Sequence, residues 1–177
     1  MKHLLFLLLA FSINTSLFAQ VSDNIILITD DSGNLKFEAK NQQKQIESNQ
    51  ITNWLNALPN DVIGEIVYSN PKVGDVKYKA SVPIFLSKKE SVYQTKMHFT
   101  ILVHDNSTIE LCNIYYKSIP EYGKQGIPSV TSYPTDWFSK SKLYKKSGKT
   151  RWLNQTLKDN TIKMASKLLQ SSERFSH

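Results

Sequence analysis

Between Tyr93 and Val103 the chain alternates with a period of two. Tyr93, Thr95, Met97, Phe99, Ile101 and Val103 form one set, and Gln94, Lys96, His98, Thr100 and His104 continue the other. Only an extended strand puts every second residue on the same side, so this segment has one apolar face and one wet face. Such a face needs neighbouring strands and a covering layer before it is buried. Upstream the pattern repeats: Val76, Tyr78, Ala80, Val82 and Ile84 alternate with Asp75, Lys77, Lys79 and Ser81. Downstream, past Asp105-Asn106-Ser107, the chain returns from Thr108 to Tyr116.

The register of that return follows from the pattern. A two-residue loop pairs His104 with Ser107 and sets Ile109, Leu111 and Tyr115 on the face of His98 and His104. A three-residue loop pairs His104 with Thr108 and gives a core face of Met97–Tyr115, Phe99–Asn113, Ile101–Leu111 and Val103–Ile109. One residue of slip would transfer the whole set to water, so the three-residue loop is expected. On the wet face it puts His98 opposite Ile114 and Cys112 opposite Thr100.

Around this hairpin lie a strand at Asn24–Ile28, a turn at Asp30–Asn34 and a second strand in which Leu35, Phe37 and Ala39 alternate with lysine and glutamate. A helix from about Gln43 to Leu58 follows, with Ile46, Ile51, Trp54, Leu55 and Leu58 on one stripe and Pro59 as its stop. Trp54 reads as a core anchor. A short strand spans Glu65–Tyr68, before a turn at Asn70–Gly74. From 118 to 149 no periodicity is sustained and Pro and Gly punctuate the chain, so a long irregular loop is expected, functional or mobile. Within it Asp136 is placed to cap one helical turn through Trp137 and Phe138. An amphipathic helix from about Thr150 to Ser171 closes the chain, with Leu153, Leu157, Thr161, Met164 and Leu168 in its apolar stripe. The expectation is one α+β domain over 20–177, an antiparallel sheet with two helices packed on one face.

The first residues carry a different message. Lys2 and His3 precede the apolar run Leu4–Phe11, polar residues follow, and Leu17-Phe18-Ala19 places a small residue before Gln20. This is the grammar of a secretory signal peptide over residues 1–19, with cleavage between Ala19 and Gln20. The run is about half the roughly 20 residues that a spanning helix needs. No cysteine sits at the new N-terminus to take a lipid, and no second apolar stretch approaches spanning length. A soluble exported protein is expected, periplasmic or secreted. Cys112 is the single cysteine, so export brings no intramolecular disulfide, and stability must come from the core.

The order strand–turn–strand, helix, antiparallel strands, loop, helix, together with the export signal, resembles a family of bacterial secreted domains of unknown function with a TATA-box-binding-protein-like fold. The resemblance rests on Ile26–Ala39 with its Asp31-Ser32-Gly33 turn, on Trp54-Leu55 in the helix, and on the hairpin His98–Ile109. The family's hairpin carries an Asp-Gly-Arg-Tyr-like turn, of which Asp105 remains here. The resemblance implies a fold but carries over no functional residue.

Signatures of catalysis are missing: no glycine-rich phosphate loop, no His-Glu-x-x-His, no Gly-x-Ser-x-Gly, and no cysteine cluster. His98 and His104 lie six residues apart on one strand, roughly 20 Å, too far to share a metal ion. A diagonal Cys112–His98 contact would pair a nucleophile with a base, and this gives the enzyme alternative, a cysteine-dependent hydrolase or transferase. An open sheet face, however, offers no evident oxyanion donors. The excess of 22 basic over 15 acidic residues, +7, is concentrated between Lys140 and Arg151. There Trp137, Lys140, Lys142, Tyr144, Lys145 and Lys146 interleave aromatics with cations, a pattern for anionic glycans, lipid headgroups or an envelope protein. Nucleic acid is not expected outside the cell, nor is a cofactor. The sequence thus favours a non-enzymatic binding or envelope-associated module over an enzyme.

Overall fold

Each period-two segment of the sequence is a strand of one antiparallel sheet. The computed structural model describes residues 20–22, 25–30, 32–40, 47–85, 94–104, 107–118 and 130–172. The expected signal peptide, the expected start of the first helix at Gln43, the hairpin tip Asp105-Asn106 and residues 119–129 of the expected loop lie outside the described residues. The strands are β1 (Gln20–Ser22), β2 (Ile25–Thr29), β3 (Leu35–Lys40), β4 (Ile63–Asn70), β5 (Asp75–Phe85), β6 (Gln94–His104), β7 (Thr108–Ser118) and β8 (Val130–Ser132). Seven of them run in the order β1-β2-β3-β7-β6-β5-β4, and β8 pairs with β7.

The apolar face of the sheet is fully covered at its centre. Leu27, Phe37, Val82, Met97, Phe99, Ile101, Val103, Ile109 and Leu111 are all buried. The helix α4 (Trp152–Gln170) packs across β2, β3, β5 and β7 and adds Leu157, Thr161, Ala165, Leu168 and Leu169 to the same core. The helix α1 (Ser48–Asn56) adds Ile51, Trp54 and Leu55, and starts where the Gln50 side chain accepts the Glu47 N–H at 3.0 Å. Trp54 is the expected anchor: its Nε1 donates to Ser171 Oγ at 2.8 Å, joining α1 to the end of α4. Burial of each large apolar side chain here is worth about 1.5–3 kcal/mol. Tyr116, fully buried, donates its hydroxyl to Thr161 Oγ1 at 2.8 Å, because the Thr161 proton is already given to Leu157 O.

The β6–β7 hairpin has the expected three-residue loop. His104 pairs with Thr108, and the Ser107 N–H donates to His104 O at 3.0 Å. Val103–Ile109, Ile101–Leu111 and Thr100–Cys112 follow in register. Beyond Cys112 the expectation fails by one residue. His98 pairs with Tyr115 and Met97 with Tyr116, so Asn113 and Ile114 together oppose Phe99. Asn113 has a φ of 52°, the left-handed conformation that such a bulge requires. The physical reason is plain. The uninterrupted register would bury an asparagine amide opposite Phe99 and leave Ile114 and Tyr116 in water, and both cost free energy. The bulge exposes Asn113, buries Ile114 and Tyr116, and turns Tyr115 to the wet face.

The stretch from 130 to 149, expected as irregular loop, holds β8, α2 (Pro134–Phe138), α3 (Lys140–Leu143) and a tight turn closed by a Tyr144–Thr150 bridge. These pieces are three to five residues long, too short for a periodic signal. Asp136 does serve α2, from inside its first turn: it accepts the Tyr133 N–H at 2.7 Å, with Pro134 opening the helix. The β2–β3 turn presses on the end of α2. Gly33, at a φ of 90°, leaves so little room that a Cβ there would lie 2.6 Å from Ser139 N.

Candidate functional site on the solvent face of the sheet

Register alone maps the wet face. One row across the sheet reads Ile63, Ser81, His98, Tyr115, and the next reads Glu65, Lys79, Thr100, Cys112. A third reads Tyr68, Lys77, Leu102, Glu110, Glu38. At the other end Lys96 pairs with Lys117. On the edge of β7 away from β6, β3 pairs only as far as Leu111, and β8 begins at Tyr116. Between those points no strand among the described residues closes the edge, and a depression of about 860 Å³ extends from there over β6 and β5 to β4. Its floor is His98 and Thr100. One wall is Tyr115, Tyr133 and Pro134, and the other is Ile63–Glu65 of β4 with Lys77 and Lys79 of β5. Ile63, an apolar side chain 69% exposed on an edge strand, stands at its rim.

His98 is the unusual residue of the floor. Its ring stacks on Tyr115 at a centroid distance of 4.7 Å and an interplanar angle of 7°. Its Nε2 is buried and has no hydrogen-bond partner among the described residues. Desolvation holds its pKa below the ordinary value, and the charges of Lys117 and Lys96 push in the same direction. Both effects favour the neutral form of the ring. Tyr133 extends the aromatic wall at 6.4 Å from Tyr115, and Lys117 Nζ lies 6.0 Å from the Tyr115 ring centre.

Cys112 lies opposite Thr100 as expected, but the bulge separates it from the His98 row. Burial and the neighbouring Glu110 push its thiol up to about 12. A catalytic thiol needs the opposite shift. The carboxylates nearby are committed: Lys36 Nζ lies 2.9 Å from both Glu38 and Glu110, and His104 Nε2 stands 3.9 Å from Glu110. Both carboxylates raise the Lys36 pKa.

The basic, aromatic segment is a separate surface. Trp137 is half-buried and donates its Nε1 to Ser132 Oγ at 2.9 Å, so it is an anchor of the fold. Lys140, Lys142, Tyr144, Lys145 and Lys146 are exposed, and none of them lines the depression. The Asn154 side chain donates to Trp137 O and Lys142 O, which holds the segment against α4. The sequence reading did not single out Tyr115, Tyr133, Lys77, Lys79 or Glu65 as a site. The available signal was Asn113, a polar residue tolerant of positive φ in an otherwise apolar odd series.

No protein-family model matches the chain, and no curated protein does either. Among solved structures, a DUF4468 family protein from Bacteroides ovatus ATCC 8483 is similar in fold, with a TM-score of 0.59 and 16% sequence identity. The match covers 81% of this chain and 86% of that one. At that identity the likeness concerns the α+β fold and assigns no role to any residue. No helix among the described residues is long and apolar enough to cross a membrane.

Proposed function

We propose that the protein is an exported, non-enzymatic binding module that takes its ligand on the solvent face of the sheet. The observation that carries this reading is the depression beside the β7 bulge, floored by an aromatic-stacked His98 whose Nε2 has no partner among the described residues. Ligand sites combine concave shape with a few polar groups left free by the fold. The leader grammar of residues 1–19 supports export, with the mature chain starting at Gln20 in the periplasm or outside the cell. A TATA-box-binding-protein-like layout, helices beneath and an open sheet face above, suits such a role. The eligible partners are an anionic glycan, a lipid headgroup or an envelope protein. The hydrolase or transferase alternative with Cys112 and His98 is disfavoured by the protonated thiol.

The test compares retention of a solubilised envelope glycan and glycolipid fraction on three immobilised proteins. One is the unaltered chain, one carries Lys79→Ala with Tyr133→Ala, and one carries Lys140→Gln, Lys142→Gln, Lys145→Gln and Lys146→Gln. Retention should be lost in the second and kept in the third. Equal retention by the first two would refute the sheet-face reading.

A further inference from the structure

The charges around the depression are predominantly positive. Lys77 and Lys79 line it, and Lys96 and Lys117 stand at its His98 end. Of the three close carboxylates, Glu65 is in the lining, while Glu38 and Glu110 are engaged by Lys36. Glu65 stands opposite Lys79 in the register, so the lining holds two lysines against one carboxylate, and a net positive lining attracts an anion. The other lining groups define the rest of the ligand. Tyr133 offers a ring face, and Tyr115, one of whose faces is taken by His98, offers an edge, to a flat, partly apolar body. Ser81, Thr100, Asn34 and Asn113 offer hydroxyl and amide partners. Arginine, whose fork matches phosphate bidentately, is not among the residues that line it. The volume of about 860 Å³ falls within the roughly 300–1,000 Å³ of ordinary small-ligand sites.

We infer that the depression binds an acidic saccharide, with a pyranose ring against the Tyr115–Tyr133 wall and its carboxylate facing Lys77 and Lys79. This rests on the sheet-face reading above and narrows it to one ligand chemistry. Aromatic walls suit the C–H faces of a sugar, and dispersed lysines suit a carboxylate that keeps part of its hydration. Hydroxyl and amide groups between them match the ring hydroxyls. The exposed lysines of α3 and the following turn have the exposed rings of Tyr144 and Trp152 near them in sequence, but none of these residues lines the depression.

The test titrates the full chain with trigalacturonate and, separately, with neutral galactotriose, following heat and tyrosine fluorescence. Trigalacturonate should bind, and the neutral trisaccharide should bind at least about tenfold more weakly. The pair Lys77→Gln and Lys79→Gln should weaken trigalacturonate binding about tenfold, at roughly 0.7 kcal/mol for each charge. Tyr133→Ala, at an exposed position that leaves the core intact, should weaken it about fivefold. The quadruple glutamine variant of Lys140, Lys142, Lys145 and Lys146 should bind as the unaltered chain does. Absence of trigalacturonate binding overturns the inference, as does loss of binding in the quadruple variant. Equal affinity for the two sugars, sensitive to Tyr133→Ala, overturns the acidic preference and leaves the sheet-face reading standing. Phosphatidylglycerol vesicles serve as the rival probe. If they bind through Lys77 and Lys79 while trigalacturonate does not, the ligand is a lipid surface and the inference is wrong.

Discussion

Asn113 tests the feature that decides which side chains face the depression. Its φ of 52° places it in the left-handed region, and its side chain is exposed. A substitution there changes backbone strain with almost no change in packing. For a residue with an ordinary Cβ this conformation costs about 1–2 kcal/mol, part of which asparagine already bears, so Asn113→Ala should lose about 0.5–1 kcal/mol. For a chain of this size the loss corresponds to a fall in Tm of about 1–4 °C. Asn113→Val should cost more, because branching at Cβ narrows the allowed conformations further. Asn113→Gly should stay within about 0.5 kcal/mol of the unaltered chain, since relieved strain offsets the greater freedom of the unfolded state. The strand will not escape by slipping to the plain register. That would move Ile114 and Tyr116 out of the core, a loss on the order of 5 kcal/mol. Urea unfolding followed by tryptophan fluorescence reads these differences, and the slope should not change because the folded state keeps its shape. If Asn113→Ala proved as stable as the original while Asn113→Gly proved weaker, the bulge would not be there.

His98 predicts a pH effect. Its folded pKa lies below the ordinary 6.5, so the unfolded chain takes up a proton that the folded chain refuses. Stability should be full above about pH 6.5 and decline as pH falls from there toward the folded value; His98→Asn should flatten the decline, and an unchanged slope in urea midpoints between pH 7.5 and 5 would contradict the assignment. Gly33→Ala meets both a φ of 90° and the backbone of Ser139, and should destabilise by about 2 kcal/mol or more in the same assay. Cys112, with its thiol pushed up to about 12, should react with a disulfide reagent at pH 8 at least about thirtyfold more slowly than after unfolding, the scarcer thiolate being partly offset by its greater nucleophilicity. Labelling of the folded chain at the free-thiol rate would reopen the enzyme alternative.

How much of this was legible follows from where local patterns are long. Val76–Ile84 and Thr95–Val103 alternate over nine residues each, and their faces came out as read. The stripe of α4 is similarly extended, and Leu157, Thr161 and Leu168 lie buried as its spacing implies. β7 defeated the reading because parity carries no memory of an inserted residue. Once Asn113 bulges, every later side chain changes face, so Tyr115 was assigned to the core and Tyr116 to water. The 130–149 segment failed for a different reason. Its elements are held by particular contacts, such as Tyr133 N–H to Asp136 and Trp137 to Ser132, and these have no period to detect.

The two failures meet at the candidate site, and the coincidence has a physical basis. A sheet whose alternation is unbroken can satisfy its hydrogen bonds within itself and offers a partner only a wet, flat surface. A bulge in β7, next to a neighbour strand only three residues long, interrupts the ladder between Leu111 and Tyr116. It also swings an aromatic ring outward beside His98. The buried Nε2 has no partner among the described residues, and an unmet buried group of this kind costs about 1–3 kcal/mol. A more regular β7, with an apolar residue that continued the alternation, would avoid that cost and also remove the depression. The irregular strand is thus less stable than its regular counterpart in the one place where it makes a concave, polar and aromatic surface. That trade-off is the expected signature of a segment shaped for contact with something outside the fold.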